Sequence, residues 1–399
     1  MLRLGNTEIN ALGNNINKAY LGSVEVFGNV FISLWQTTTA NETITLPTPT
    51  NYRVDWGDGT VTTNTNSHEY LTANQYTIKI SGEVTDFAFV NGGDKLKILE
   101  ISKYGGSSYS VSSFHGCDNL DITETKVISI NSGSIGSLFR DCSSLVYNSS
   151  INLIQAQNAT GINSMFRGCD LFNQDLTFDA SSSILAQDFL RDATNFNSTV
   201  SINLASATSV SGFFANCVNY NQNINLNTPL STNFSLFLNN CTNFNSQLLL
   251  DTSSANDMSN MFLSSSNFNQ PLNFDTSNVT SMVQMFRDAI SFNQSLNFDT
   301  SKVESMVQMF WGSTSFNQDI SSWSFFSVTN MSNFMILKGA EYDTNYMDNL
   351  YIKLDQDLVF ANMVNVNIGF GSINYTSAGA TARASLVSKG FIITSGIQV

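Results

Sequence analysis

The chain has 399 residues, room for several domains or one long repeat array with attachments, and 42% of them are hydrophobic, ample for a core. Charged residues make up only 12% and the formal net charge is −14, a balance that repels a phosphate backbone and sets nucleic acid aside as a partner. Asn, Ser and Thr take the polar positions, a composition that suits packed strands and turns with side-chain hydrogen bonds rather than disorder.

Taken in chain order, residues 1–29 carry a doublet, Leu4-Gly5-Asn6-Thr7-Glu8-Ile9 echoed by Leu21-Gly22-Ser23-Val24-Glu25-Val26, and each copy predicts a short strand after a Gly turn. Strands this small are not stable alone, so the segment is expected to attach to something else. Met1 to Gly28 shows no basic stretch followed by an apolar run, and nowhere is there an apolar run of the ~20 residues that a membrane span needs. Neither a secretory leader nor membrane insertion is expected.

Residues 30–97 predict a small β-sandwich with strands at Val30 to Leu34, Thr43 to Leu46, Tyr52 to Trp56 and Tyr76 to Ile80, where β-branched and aromatic residues alternate with polar ones. Asp55-Trp56-Gly57-Asp58-Gly59 supplies a tight turn, whose carboxylates could alternatively hold calcium. Leu96 to Ile101 reads as the first strand of the next region.

From 98 to 341 the sequence repeats. The second apolar residue of each Met-Phe-like pair is an anchor: Phe114, Phe139, Phe166, Leu190, Phe214, Leu238, Phe262, Phe286, Phe310 and Met335. Their spacings are 25, 27, six of 24, then 25. Such a period marks a solenoid, in which each turn leaves an apolar face that only its neighbours cover. The predicted fold class is α/β, a solenoid of about ten turns with a parallel sheet and short helices, which the resemblance given below makes a leucine-rich-repeat solenoid. Val279, Met282, Met285 and Phe286 define one such helix face, with Thr276, Ser277 and Asn278 as N-cap candidates. Seven residues past the anchor stands Asn in seven successive turns, Asn173 to Asn317, the pattern of an asparagine ladder. A strand then follows with inward pairs such as Ile224 with Leu226 and Leu272 with Phe274.

Beyond Tyr342 the period fails, and 342–399 predict an α/β cap: a helix through Tyr346, Leu350, Tyr351 and Leu354, a strand at Val364 to Phe370, a helix at Ala378 to Ser388 and a strand at Phe391 to Thr394.

Chemistry is sparse. Cys117, Cys142, Cys169, Cys217 and Cys241 share a slot three past the anchor with Ala193, Ser265, Ala289 and Ser313, which predicts small buried packing thiols, reduced and folded in a cytoplasm. Two separated histidines, His68 and His115, make no zinc site, and no nucleophile elbow, phosphate loop or dinucleotide fingerprint occurs. No catalytic residue, metal or cofactor is assigned. Asp251, Asp275 and Asp299, with Asp179 further back, form a column that predicts Asx turns, against the alternatives of glycosidase carboxylates or a bridged cation. The candidate ligand-binding residues are those between the inward pairs, Thr177, Ser201, Asn225, Leu249, Asn273, Asn297 and Ser321, a weakly charged stripe suited to sugar hydroxyls.

The segments Ser-Asn-Val-Thr-Ser-Met-Val-Gln-Met-Phe (277 to 286) and Phe-Asn-Gln-Asp-Ile-Ser-Ser-Trp (316 to 323) closely resemble the BspA-like leucine-rich repeats, which also occur in a domain of mycoplasma lipoproteins. The Asp-Trp-Gly-Asp-Gly turn with His68, Tyr70 and Tyr76-Thr77-Ile78 resembles a polycystic-kidney-disease-type sandwich, and the N-terminal doublet resembles short repeats that open phage tail-fibre and other virion proteins. These resemblances imply display and adhesion without catalysis. The expectation is a virion surface or fibre protein, joined to other virion proteins through 1–29, meeting host glycan or protein, and open to homo-oligomer formation. The alternatives are a bacterial cell-surface adhesin and a capsular polysaccharide depolymerase.

Overall fold

A computed structural model describes residues 30–48, 52–81, 84, 87–104, 112–123, 133–146, 158–336, 342–358 and 367–399, together with the backbone pairing of several short strands elsewhere. The chain packs as two compact units, Met1–Ala159 with Met165–Gln174, and Thr160–Ser164 with Asp175–Val399.

In the first unit each N-terminal echo is a hairpin rather than a single strand: Arg3–Leu4 pairs antiparallel with Thr7–Glu8, and Ala19–Leu21 with Val24–Phe27. The four strands expected between 30 and 80 form, as Val30–Gln36, Glu42–Thr45, Arg53–Asp55 and Gln75–Ser81. Strand Gln75–Ser81 shows why: Tyr76, Ile78 and Ile80 are buried while Gln75, Thr77 and Lys79 face out, the period of two that a one-sided sheet imposes. Six strands join in the order Asp121–Ile122, Ile98–Tyr104, Val30–Gln36, Gln75–Ser81, Arg53–Asp55, Val61–Thr63, and Glu42–Thr45 pairs separately with Ser67–Tyr70. The sheet thus runs across residue 97, because Ile98–Tyr104 pairs antiparallel with Val30–Gln36.

The Asp55 to Gly59 segment is a turn closed by its own carboxylates. Asp55 Oδ1 accepts from Gly57 N at 3.1 Å, and Asp58 Oδ1 from Thr60 N at 2.8 Å. Gly57 is required there: its φ is +81°, and a Cβ would lie 2.6 Å from the Thr77 carbonyl oxygen. Asp58 also meets His68 Nε2 at 2.7 Å, and His68 stacks on Trp56 with centroids 5.2 Å apart. Burial alone would raise the Asp58 carboxyl; hydrogen bonds from His68 and Thr60 outweigh it and leave it below its usual range.

The repeats are coils of a solenoid. In the second unit, rings in the anchor column stack face to face: Phe262 to Phe286 at 5.4 Å and 2°, Phe286 to Phe310 at 5.5 Å and 6°. A second column six residues on, Phe268, Phe292 and Phe316, stacks at 5.7 and 6.1 Å, and each ring touches its own anchor at 4.1–4.3 Å. The first unit repeats the device with Phe114, Phe139 and Phe166 at 5.6 and 5.7 Å. These offset stacks add roughly 0.5–1.5 kcal/mol per pair beyond burial.

The expected short helices do not form; the described chain has two helices, both in the cap. Two residues before each anchor the backbone enters the left-handed region, and two residues after it does so again. In the second unit these positions are Ser164, Asp188, Gly212, Leu236, Asn260, Gln284, Gln308 and Asn333, then Asp192, Asn216, Asn240, Ser264, Asp288 and Gly312, with φ between +53° and +75°. No α-helix survives residues of that sign every fourth place. The hydrogen bonds explain the choice. Gln284, Phe286 and Asp288 donate along the stack to the carbonyls of Val307, Met309 and Trp311, while Met285, Arg287 and Ala289 close tight turns onto Met282, Gln284 and Phe286. Half the amides therefore serve the next coil. Thr276 is no N-cap either: buried, it donates from Oγ1 to the Asp299 carbonyl at 2.9 Å.

Nor is the sheet continuous where expected. Leu176–Asp179 pairs parallel with Val200–Asn203, and Ile224–Leu226 with Leu248–Leu250, bridged by Asn203 and Asn227. Beyond that, no backbone hydrogen bond among the described residues joins 248–251 to 272–275 or 272–275 to 296–299. The unbroken ladder lies elsewhere, through Leu185, Ser209, Asn233, Asp257, Ser281, Ser305 and Asn330, five before the anchors.

The cap follows the expected order. Helix α1 spans Thr344–Asp357, with Asp343 accepting from Asn345 N, and helix α2 spans Ser377–Ser388, capped by Thr376. Strands Asn367–Gly369 and Ile392–Thr394 pair parallel; the first part of the strand expected from Val364 lies outside the described residues. The last coil docks on the cap through Asn333 N to Asn367 O and Met335 N to Gly369 O, both 3.0 Å.

Candidate functional site

The asparagines divide into two populations. In the column seven past the anchor, each side-chain oxygen accepts from the backbone amide of the same position one coil on. Asn197 serves Asn221, Asn221 serves Asn245, Asn245 serves Asn269, Asn269 serves Asn293 and Asn293 serves Asn317, at 2.8–2.9 Å. Gln270, Gln294 and Gln318 add amide donors to the same oxygens. The expected ladder is real, and it lines an exposed or half-buried bend. A second file pairs Asn195 with Asn219 and Asn219 with Asn243.

On the stripe between the inward pairs the amides are not used this way. Thr177, Ser201, Asn225, Leu249, Asn273 and Asn297 are exposed, and Ser321 is half-buried with its amide bound to Asp319. Among the described residues, no protein group hydrogen-bonds the side chains of Asn225, Asn273 or Asn297. Leu249, 45% exposed, interrupts the polar row. Around it lies an open depression of about 320 Å³, lined by Asn225 and Asn227 from one coil, Asp251 from Leu249's own, and Asn273 and Phe274 from the next. The sequence placed Asn225, Leu249 and Asn273 on one face. It could not show the depression, which opens where strand pairing stops.

A larger depression of about 530 Å³ lies beside the cap, and several of its polar groups are engaged internally. Asn317 Oδ1 holds the Asp343 amide at 2.8 Å, Tyr342 donates to the Gln318 carbonyl at 2.8 Å and Asn374 Oδ1 holds the Ile397 amide at 3.0 Å.

The aspartate column makes Asx turns. Asp179, Asp251, Asp275 and Asp299 accept from the amides of Ser181, Ser253, Ser277 and Ser301 at 2.9–3.1 Å. Hydrogen bonds from Ser277 hold the Asp275 carboxyl below the usual range, and those from Ser301 do the same for Asp299. Among the described residues no group of three or more His, Cys, Asp or Glu converges as metal ligands would.

The cysteine slot has a role that its Cys/Ala/Ser pattern only hinted at. Cys142, Cys169, Cys217 and Cys241 donate to the carbonyls of Phe114, Phe139, Leu190 and Phe214, the anchors one coil back, at 2.9–3.1 Å. Ser265 and Ser313 do the same to Leu238 and Phe286. Burial pushes all five thiols up, which keeps them protonated donors and poor nucleophiles. His115 lies at 3.1 Å from Asp141, a rim pair shared with Arg140.

A family model matches the chain twice, over residues 133–250 and 232–349, spans that overlap and together take in more than half of the sequence. No curated protein and no solved structure matches it. The matched spans take in the described coils beyond 133 and the first turns of helix α1, and the chain belongs to the family described as Mycoplasma protein of unknown function, DUF285.

Proposed function

We propose that this is a non-enzymatic surface protein that presents its coils for recognition of host-surface glycan or protein, as a fibre subunit of a bacteriophage particle. One observation carries the recognition role. Asparagines on the bends are consumed by ladders even where exposed, whereas Asn225, Asn273 and Asn297 on the flat face keep both donor and acceptor for an outside partner. The aspartates speak for binding over hydrolysis, because a glycosidase acid needs a raised carboxyl and Asp275 and Asp299 are lowered.

The N-terminal hairpins would join the chain to other virion proteins, and the sandwich with its Asp55–Gly59 turn, of polycystic-kidney-disease type, would act as spacer. Self-association fits a fibre. No helix among the described residues is long and apolar enough to cross a membrane, and the net charge of −14 disfavours nucleic acid. A second reading is a bacterial cell-surface adhesin, to which the family match contributes only its description from a bacterium, Mycoplasma. Mass spectrometry of purified particles and of washed cell surfaces separates the two. Adherence of the purified full chain to host cells tests recognition itself, and reducing ends released from host polysaccharide would overturn the non-enzymatic reading.

A further inference from the structure

We infer that the depression beside Leu249 is a binding site for an uncharged sugar ring, with Leu249 against the ring's apolar face and Asn225 and Asn273 hydrogen-bonding its hydroxyls. The inference rests on the surface-recognition reading and gives that surface a ligand class.

Four observations converge on it. First, Leu249 is the apolar member of an otherwise polar row, and it is held exposed with a neutral amide one coil to either side. A pyranose has that same division, C–H groups on a face and hydroxyls around the edge. Second, those amides have no protein partner among the described residues, so binding a hydroxyl breaks no internal bond. Third, the backbone ladder ends at this point. The peptide groups of 272–275 are not joined to 248–251, which leaves main-chain donors and acceptors along the walls.

The fourth concerns charge and size. No lysine or arginine lines the depression, and Asp251, one coil from Asp275, is among its lining residues. An acidic sugar would meet a carboxylate and no counter-charge. The volume, about 320 Å³, is at the small end of ligand sites, roughly 300–1,000 Å³. That suits one or two sugar rings.

Saturation-transfer NMR and calorimetry on the full chain test this, with lactose, maltose and cellobiose as neutral probes and sialyllactose and digalacturonate as acidic ones. At least one neutral sugar is expected to bind, with its acidic counterpart at least tenfold weaker. Leu249→Ser removes the apolar floor and is expected to weaken binding about tenfold. Ser already occupies the same column at Ser201, so the fold should tolerate it. Asn225→Ala and Asn273→Ala are expected to weaken binding severalfold, and Ser264→Gly, in a turn segment, to leave it unchanged.

Failure of every neutral sugar to bind overturns the proposal, as does equal binding of the acidic ones or indifference to all three site variants. If the chain still adheres to host cells in those cases, the sugar assignment alone has failed. If adherence is absent as well, the recognition reading has failed with it.

Discussion

Asn269 offers a direct test of how the coils are held together. Its Oδ1 accepts from the Asn293 amide at 2.9 Å and from Gln294 Nε2 at 3.1 Å, while its own amide donates to Asn245. Asn269→Ala removes the two accepted bonds and leaves the third. Each neutral bond is worth about 1 kcal/mol net, and water reaches these half-buried groups, so the expected loss is about 1–2 kcal/mol. Asn269→Asp keeps the acceptor and should lose less than about 0.5 kcal/mol. The chain already contains that variant in its first unit, where Asp121 Oδ1 accepts from the Val146 amide at 3.1 Å. Urea unfolding gives the energies, provided the slope is unchanged. Hydrogen exchange at Asn293 gives the cause: protection should fall in the Ala variant and persist in the Asp variant. If the two variants lose equal stability, or if Asn293 stays protected after Asn269→Ala, the side-chain ladder does not hold the coils.

Three further outcomes follow from other columns. Tyr220 stands in a file of phenylalanines, fully buried with its hydroxyl unpartnered among the described residues, so Tyr220→Phe should stabilise the protein by about 1 kcal/mol; a lower melting temperature would contradict this. Ser264 has φ +59°, so Ser264→Val should cost about 2 kcal/mol while Ser264→Gly stays within about 0.5 kcal/mol, and equal melting temperatures for the two would refute the left-handed turn. Glu42 accepts from the Thr38 and Thr39 amides and pairs with Lys97 at 3.0 Å, which takes its carboxyl from the usual 4.5 down to about 2. Its contribution to stability is complete above pH about 4.5 and disappears as the pH falls towards 2; Glu42→Gln should flatten that part of the stability–pH curve, and an unchanged slope would show that other carboxylates carry it.

Periodicity revealed the solenoid because side chains must superpose for the coils to share a core. The columns of Phe262, Phe286 and Phe310, of Asn245 and Asn269, and of Cys217 and Cys241 were all legible, since each is set by one residue type in one place. The helix reading failed because Val279, Met282, Met285 and Phe286 are spaced as well for a run of tight turns as for a helix. A contrary signal was present. Two past the anchor stand only Gly, Asp, Asn or Ser, from Gly116 through Asn216 and Asn240 to Gly312, mostly the residues that tolerate positive φ. The stripe was legible as a face, but its division into engaged and idle asparagines was not. That depends on how far apart successive coils lie, and a repeat that looks the same at Leu248 and Leu272 does not encode the gap between them.

The cap decides where this polymer of coils stops. Every coil ends in amides that aim along the axis and need carbonyls from a successor. Asn333 and Met335 find theirs on Asn367 and Gly369, a strand borrowed from outside the repeat. Stripped of residues 342–399, the final coil would be an open template, as ready to accept a stranger's first coil as its own continuation. Evolution can then lengthen or shorten the array a whole rung at a time, but it cannot dispense with the stopper.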